Sequence, residues 1–144
     1  TISDLSAGRR GPRACFGRYD AGMAIEQPND ASFACELLAW LKRKKLAYST
    51  HLYSHREWVH VRGERQMHES PHVAWVLTIE GSPLYYPLNG YGDARSDTIV
   101  YQAFTKFCEE RLWWWEMGYS WSVSLGPITD PEQQAALAQR LGLR

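Results

Sequence analysis

The fold class follows from one stretch of the sequence, VAWVLTIE at residues 73–80. β-Branched and aromatic residues are enriched in strands, and a strand that is apolar on both faces belongs in the middle of a sheet. The turn-forming residues GSP at 81–83 then lead to a short strand at residues 84–86. We therefore expect residues 73–80 to be the central strand of an antiparallel sheet.

The preceding segment, residues 47–63, also has the composition of strands. A hairpin that turns near residues 55 and 56 would pair residue 51 with 60 and residue 53 with 58. His55-Arg56 is unfavourable in a two-residue turn, so a wider loop or one long strand is an alternative. Opposed residues project to the same side of a sheet. The hairpin would therefore have one polar and aromatic face, which consists of Ser49, His51, Tyr53, Trp58, His60 and Arg62.

Helical patterns flank these strands. Residues 30–45 follow Asn29 or Asp30 as the N-cap and carry one apolar stripe. The longest helix is expected at residues 97–117, closed by Gly118, and is followed by a strand from Tyr119 to Leu125 in which apolar residues alternate with serine. A cap, a first-turn proline and a capping-box glutamate at residues 129–132 open a short helix that extends to residue 141.

These elements predict an α+β fold in which two longer helices pack on one face of an antiparallel sheet of four to five strands, with a short C-terminal helix. Residues 1–13 contain chain breakers and arginines without any periodicity, so we expect a flexible basic arm. Residues 14–27 have the composition of a short strand. The remainder, residues 14–144, is expected to be a single α+β domain.

The composition excludes several classes of protein. With 44% hydrophobic and 22% charged residues, the 144-residue chain resembles a globular domain and not a disordered one. No run approaches the roughly 18 apolar residues that a membrane span requires, and the N-terminus lacks the apolar core of a signal peptide. Three cysteines without a Cys-x-x-Cys spacing argue against a disulfide framework and against a thiolate zinc site. We therefore expect a soluble, cytoplasmic protein.

All five histidines fall within residues 51–72. In the hairpin register His51 and His60 are neighbours with Arg62 and Tyr53 beside them, and a metal-independent ribonuclease uses such groups to transfer protons and to stabilise a pentacoordinate phosphate. Histidines on an exposed strand are more often surface residues, so this catalytic interpretation is an alternative. The His-x-x-x-His spacings lie outside helical patterns and no carboxylate or thiolate motif completes a site, so we expect no metal ion and no cofactor.

Two residues do not fit the apolar stripe of the helix expected at residues 97–117. Measured around the helix axis with Ile99 at 0°, the stripe spans roughly 40° to 160°, whereas Trp113 projects at roughly 320°. Either another segment covers Trp113, or it is an exposed anchor for a partner, because binding hot spots favour tryptophan. Arg111 projects into the stripe, so we expect it to pair with a carboxylate or to extend past the edge of the core.

Charge is distributed unevenly along the chain. Residues 1–65 carry eleven Lys and Arg against seven Asp and Glu, and residues 66–144 carry five against nine. A basic first half would permit binding to nucleic acid, with Tyr53 or Trp58 stacked on bases. The residues expected to contact phosphates in that alternative are Arg9, Arg10, Arg13, Lys42, Arg43, Lys44 and Lys45. Cations also stabilise the C-terminal end of a helix, which gives residues 42–45 a structural role.

No motif for nucleotide binding, acyl transfer or metalloprotease chemistry occurs in the sequence. A small domain with surplus aromatic residues is more typical of binding than of catalysis, so we expect a non-catalytic macromolecule-binding module with a protein partner. Its size favours an inhibitor or an immunity-type antagonist of the kind found on mobile elements. The residues expected to bind the partner are Trp113, Tyr53, Trp58, His51, His60 and Arg62.

Overall fold

The computed structural model describes residues 27–63, 73–90 and 95–142. In chain order these ranges contain α1 (Asp30–Arg43), β1 (His51–Ser54), α2 (His55–Arg62), β2 (Trp75–Thr78), α3 (Tyr85–Asn89), α4 (Arg95–Glu109), β3 (Trp113–Met117), β4 (Ser122–Pro127) and α5 (Pro131–Arg140). The fold is therefore α+β, as predicted. The expected arm at residues 1–13, the expected strand up to residue 26 and the residues Arg9, Arg10 and Arg13 lie outside the described residues.

The four strands form one antiparallel sheet in the order β1-β2-β4-β3. All four residues of β2 are buried and β2 pairs with a strand on each side, which confirms its central position. The other central strand is β4, where the predicted alternation of burial is wrong. Ser122 and Ser124 are buried, as are the neighbouring apolar residues Val123 and Leu125.

Helices α1 and α4 pack on the same face of the sheet and form the main core. Alternate residues of the paired strands point to this face, including Leu52, Leu77 and Val123, which are in register. The helices contribute Phe33, Leu37, Trp40, Leu41, Phe104 and Phe107 to it. Full burial of each such side chain contributes roughly 1.5 to 3 kcal/mol. Asn29 caps α1 by accepting a hydrogen bond from the Ser32 N–H, as its sequence predicts.

The predicted hairpin over residues 47–63 is wrong. Only residues 51–54 form a strand, and residues 55–62 form helix α2. Ser54 and Glu57 make a reciprocal capping box, in which the Glu57 N–H donates to Ser54 Oγ and the Ser54 N–H donates to Glu57 Oε1. These bonds satisfy backbone donors that a helix end leaves open, and they start a helix where composition favoured a strand.

The long helix expected at residues 97–117 is divided in the structure. Helix α4 ends at Glu109, and Leu112 has a φ of 58°, a left-handed conformation that turns the chain away from the helix axis. Strand β3 then pairs with β4. Trp113 therefore faces the core and is 0% exposed, so the expectation of an exposed anchor is wrong and the alternative of a covered tryptophan is correct. Phe33 of α1 covers it with ring centroids 3.8 Å apart.

Three further expectations can be compared with the structure. Arg111 pairs with a carboxylate as expected, because its Nε lies 2.8 Å from Oε1 of Glu36. The short strand expected at residues 84–86 is wrong, since Tyr85 begins helix α3. The sequence argued against a disulfide framework, yet Cys35 is disulfide-bonded, whereas Cys108 is a buried free thiol. An odd number of cysteines excludes complete pairing but leaves room for one bond.

The described helices include none whose length and apolar composition would let it cross a bilayer.

Candidate binding surface

Helix α2 folds back against the sheet face opposite the main core. Strand β1 leads directly into this helix, and its Trp58 is buried in a second, smaller cluster with Val73 and Val76. The half-buried rings of Tyr53, Trp114 and Trp121 pack against that cluster. The second face of the sheet is thus covered by aromatic side chains, some of which reach solvent.

A continuous series of ring contacts crosses this face. Ring centroids are 6.5 Å apart between His51 and Tyr53, and 5.5 Å apart between Tyr53 and Trp58. Trp58 lies 5.9 Å from Trp121, and Trp121 stacks on Tyr119 at 5.3 Å with an angle of 5° between the rings. The edge contact between Tyr53 and Trp58 and the stack of Trp121 on Tyr119 are arrangements that stabilise aromatic pairs beyond their buried area. The series therefore holds each ring in a defined orientation.

Arg62 lies over two of these rings. Its guanidinium carbon is 5.6 Å from the ring centroid of Trp58 and 5.3 Å from that of Trp121, within the range of cation–π contacts. The arrangement follows from the helix, because residues four apart share one face. Arg62 itself remains exposed. We call the six residues of this assembly the aromatic–arginine surface; they are His51, Tyr53, Trp58, Arg62, Tyr119 and Trp121.

Four of the sequence-predicted residues meet in this surface, although the hairpin that was expected to join them is absent. His51 is exposed, Tyr53 is half-buried, and Trp58 is a buried support for Arg62. His60 lies about 200° around α2 from Trp58 and is exposed. The register that would have made His51 and His60 neighbours therefore does not form.

Sequence reasoning missed Tyr119 and Trp121, which belong to the turn between β3 and β4. Both were assigned to a half-buried strand because apolar and serine residues alternate there. In the structure the Tyr119 N–H donates to Ser122 Oγ at 2.9 Å, and the Ile79 N–H donates to the Trp121 carbonyl at 2.9 Å. These bonds fix the turn, so Tyr119 is presented to solvent from an ordered backbone and keeps 45% exposure.

The capping box also sets the electrostatics at the start of α2. Partial burial raises the pKa of the Glu57 carboxyl, but hydrogen bonds from Ser54 are among the interactions that lower it, and the resulting pKa lies below its ordinary value. Glu57 is therefore ionised at neutral pH. An anionic side chain at this position stabilises the helix N-terminus.

A groove of about 790 Å³ runs beside the edge strand β3, next to α4 and α5. Tyr101 and Trp115 line it with ring centroids 5.5 Å apart, and the Trp115 Nε1–H donates to Thr105 Oγ1 at 3.2 Å. Glu109 and Arg140, which form an ion pair at 2.7 Å, also line the groove. Its charged side chains thus already neutralise each other in part.

Within residues 27–63, 73–90 and 95–142, no three His, Cys, Asp or Glu side chains are grouped so that they could hold a metal ion. Comparisons of the chain with protein-family models, with curated proteins and with solved structures find no match. The function therefore has to be inferred from the surfaces of this fold.

Proposed function

We propose that this protein is a non-catalytic protein-binding module that contacts its partner through the aromatic–arginine surface. The observation that supports the proposal is the stacking of exposed Arg62 over Trp58 and Trp121, with Tyr119 stacked on Trp121. Arginine, tyrosine and tryptophan are the residue types that dominate binding hot spots. Because their neighbours already orient these side chains, little conformational entropy remains to be lost on binding.

The geometry favours binding over the ribonuclease alternative. That mechanism needs two groups at one phosphate, one to accept a proton and one to donate a proton. His60 projects about 200° around the axis of α2 from Trp58, which lies on the side of the helix that faces the sheet. His51 lies on strand β1, so the two histidines do not share the face on which the hairpin would have placed them. An inhibitor or immunity-type antagonist of the kind found on mobile elements is the form of binding module that we propose, since such proteins act by occupying a partner's surface.

The test uses the immobilised protein as bait in a nuclease-treated lysate of the source organism. A partner identified in this way is then purified and titrated against variants by calorimetry. We expect Arg62→Ala and Tyr119→Ala each to weaken binding about tenfold or more, which corresponds to about 1.4 kcal/mol or more per hot-spot side chain.

Matched controls are present in the chain. Tyr101 is 43% exposed and touches one tryptophan, as Tyr119 does, but it lies on α4. Arg56 is an exposed arginine on the same helix as Arg62. We expect Tyr101→Ala and Arg56→Ala to bind like the wild type. Wild-type affinity in both Arg62→Ala and Tyr119→Ala would contradict the proposal.

A further inference from the structure

The last turn of α1 and the loop that follows it, together called the basic loop (residues 42–50), combine four cations with a projecting aromatic ring. Lys42, Arg43, Lys44 and Lys45 are all exposed. Tyr48 follows them and is 77% exposed, more than any other large hydrophobic side chain of the described residues. Tyr48 is not part of the aromatic–arginine surface, so this loop is a separate feature of the molecule.

The backbone on both sides of Tyr48 is ordered. Leu46 is buried, and its N–H donates to the Leu41 carbonyl at 2.8 Å. Thr50 Oγ1 donates to the Ala47 carbonyl at 2.6 Å, and Ser49 Oγ donates to the Glu80 carbonyl at 2.8 Å. The Tyr48 ring contributes little to the stability of the core, because most of its surface stays in solvent although the loop that carries it is ordered.

The charge of the loop also exceeds what the helix requires. A helix C-terminus is stabilised by cations in its last turn, where Lys42 and Arg43 lie. Lys44 and Lys45 lie beyond the end of α1. In the part of the chain that the structure describes, no salt bridge involves any of these four side chains. Glu80, whose carbonyl accepts the Ser49 hydrogen bond, is an exposed acidic residue next to this loop, and within the described ranges it forms no salt bridge with the four cations.

We propose that this loop binds single-stranded nucleic acid, with Tyr48 stacked on an unpaired base and residues 42–45 on the flanking phosphates. Stacking on an exposed aromatic ring combined with backbone neutralisation is the general mode of single-strand binding. A duplex keeps its base faces in the helical stack and offers nothing to Tyr48. An acidic protein offers anions to the cations but no base faces to the ring, so competition by polyglutamate distinguishes it from nucleic acid. The proposal does not depend on the protein-binding function of the aromatic–arginine surface.

Fluorescence anisotropy with fluorescein-labelled 12-nucleotide single strands of mixed sequence, one of RNA and one of DNA, tests this proposal. We expect Tyr48→Ala to weaken binding of at least one strand about tenfold, within the range measured for base–aromatic stacking. The double variant Lys44→Gln/Lys45→Gln should reduce the slope of log K against log salt by about 1.4, because each single-strand phosphate contact contributes about 0.7.

Controls separate this site from general attraction of anions. Tyr86→Ala removes another exposed tyrosine, and Lys106→Gln removes an exposed lysine from α4; both should bind like the wild type. Circular dichroism verifies that each variant is folded. The proposal is overturned if Tyr48→Ala binds both strands with wild-type affinity, or if polyglutamate or a 12-base-pair duplex competes as well as the unlabelled strand.

Discussion

Trp113 and Tyr119 show how similar residues acquire different roles from their surroundings. Trp113 stacks on Phe33, and its Nε1–H donates to the Pro28 carbonyl at 3.1 Å, so both its apolar area and its polar atom are satisfied inside the protein. Tyr119 contacts Trp121 by one ring face and keeps much of its remaining surface in solvent. Aromatic rings are useful in cores and in interfaces, and residue type alone does not separate the two uses.

This difference predicts that substitution destabilises the protein much more at Trp113 than at Tyr119. Trp113→Ala should lower the free energy of unfolding by about 3 to 5 kcal/mol, because it removes a fully buried ring from a packed core. Tyr119→Ala should lower it by less than about 1 kcal/mol, as is usual at exposed positions. Urea denaturation monitored by far-ultraviolet circular dichroism measures both losses, and this signal reports mainly the backbone and not the tryptophan side chains. Equal losses at the two positions would contradict the assigned roles.

The Arg111–Glu36 ion pair makes a second prediction at this scale. Its side chains are only 19% and 13% exposed, and the Arg111 Nη1–H also donates to the Phe107 carbonyl at 2.9 Å. Arg111→Met should lower the free energy of unfolding by about 2 kcal/mol or more, because it leaves the Glu36 carboxylate poorly solvated and without its cation. Arg140→Met is the control. Its pair with Glu109 is 64% and 26% exposed, so less than about 1 kcal/mol should be lost.

At the scale of elements, helix α2 shows where local sequence signals compete. Valine, tryptophan and histidine in residues 55–62 favoured a strand, but the Ser54-x-x-Glu57 capping box and the helical spacing of Trp58 and Arg62 were the stronger signals. This capping pattern was visible in the sequence. The end of α4 was not, because Leu112 turns the chain without the glycine or proline that usually marks a helix end.

The capping box makes a prediction that links stability to binding. Ser54→Ala should cost about 1 kcal/mol of stability, and it should also weaken partner binding because Arg62 lies on the helix that Ser54 starts. Asp130→Ala removes the equivalent cap of α5, where the Asp130 carboxylate accepts from the Glu132 N–H. We expect a similar loss of stability there with unchanged affinity. A Ser54→Ala variant that keeps full affinity would show that α2 does not position the binding surface.

At the scale of the whole molecule, the class of the fold was predictable and the site was only partly so. Helices α1 and α5 have caps and apolar periodicity that agree, strand β2 is apolar on both faces, and each element forms near its predicted position. Strand order depends on long-range pairing, which no local pattern encodes. The strand order brings Trp121 next to Arg62, so this contact could not be predicted from local sequence. Arg62 and Trp58 themselves were both expected to bind a partner.

The cysteines give a prediction for the whole chain. Cys35 is disulfide-bonded and Cys108 is free, out of three cysteines in total. Burial raises the pKa of the Cys108 thiol, so it is protonated and unreactive in the folded protein. Titration with a thiol reagent should detect no reactive thiol in the native protein and one per chain after unfolding without reductant, and reduction should release all three. Cys108→Ala should abolish the signal from the unfolded, unreduced protein. Three reactive thiols per chain in the unfolded, unreduced wild type would show that Cys35 is not in a disulfide.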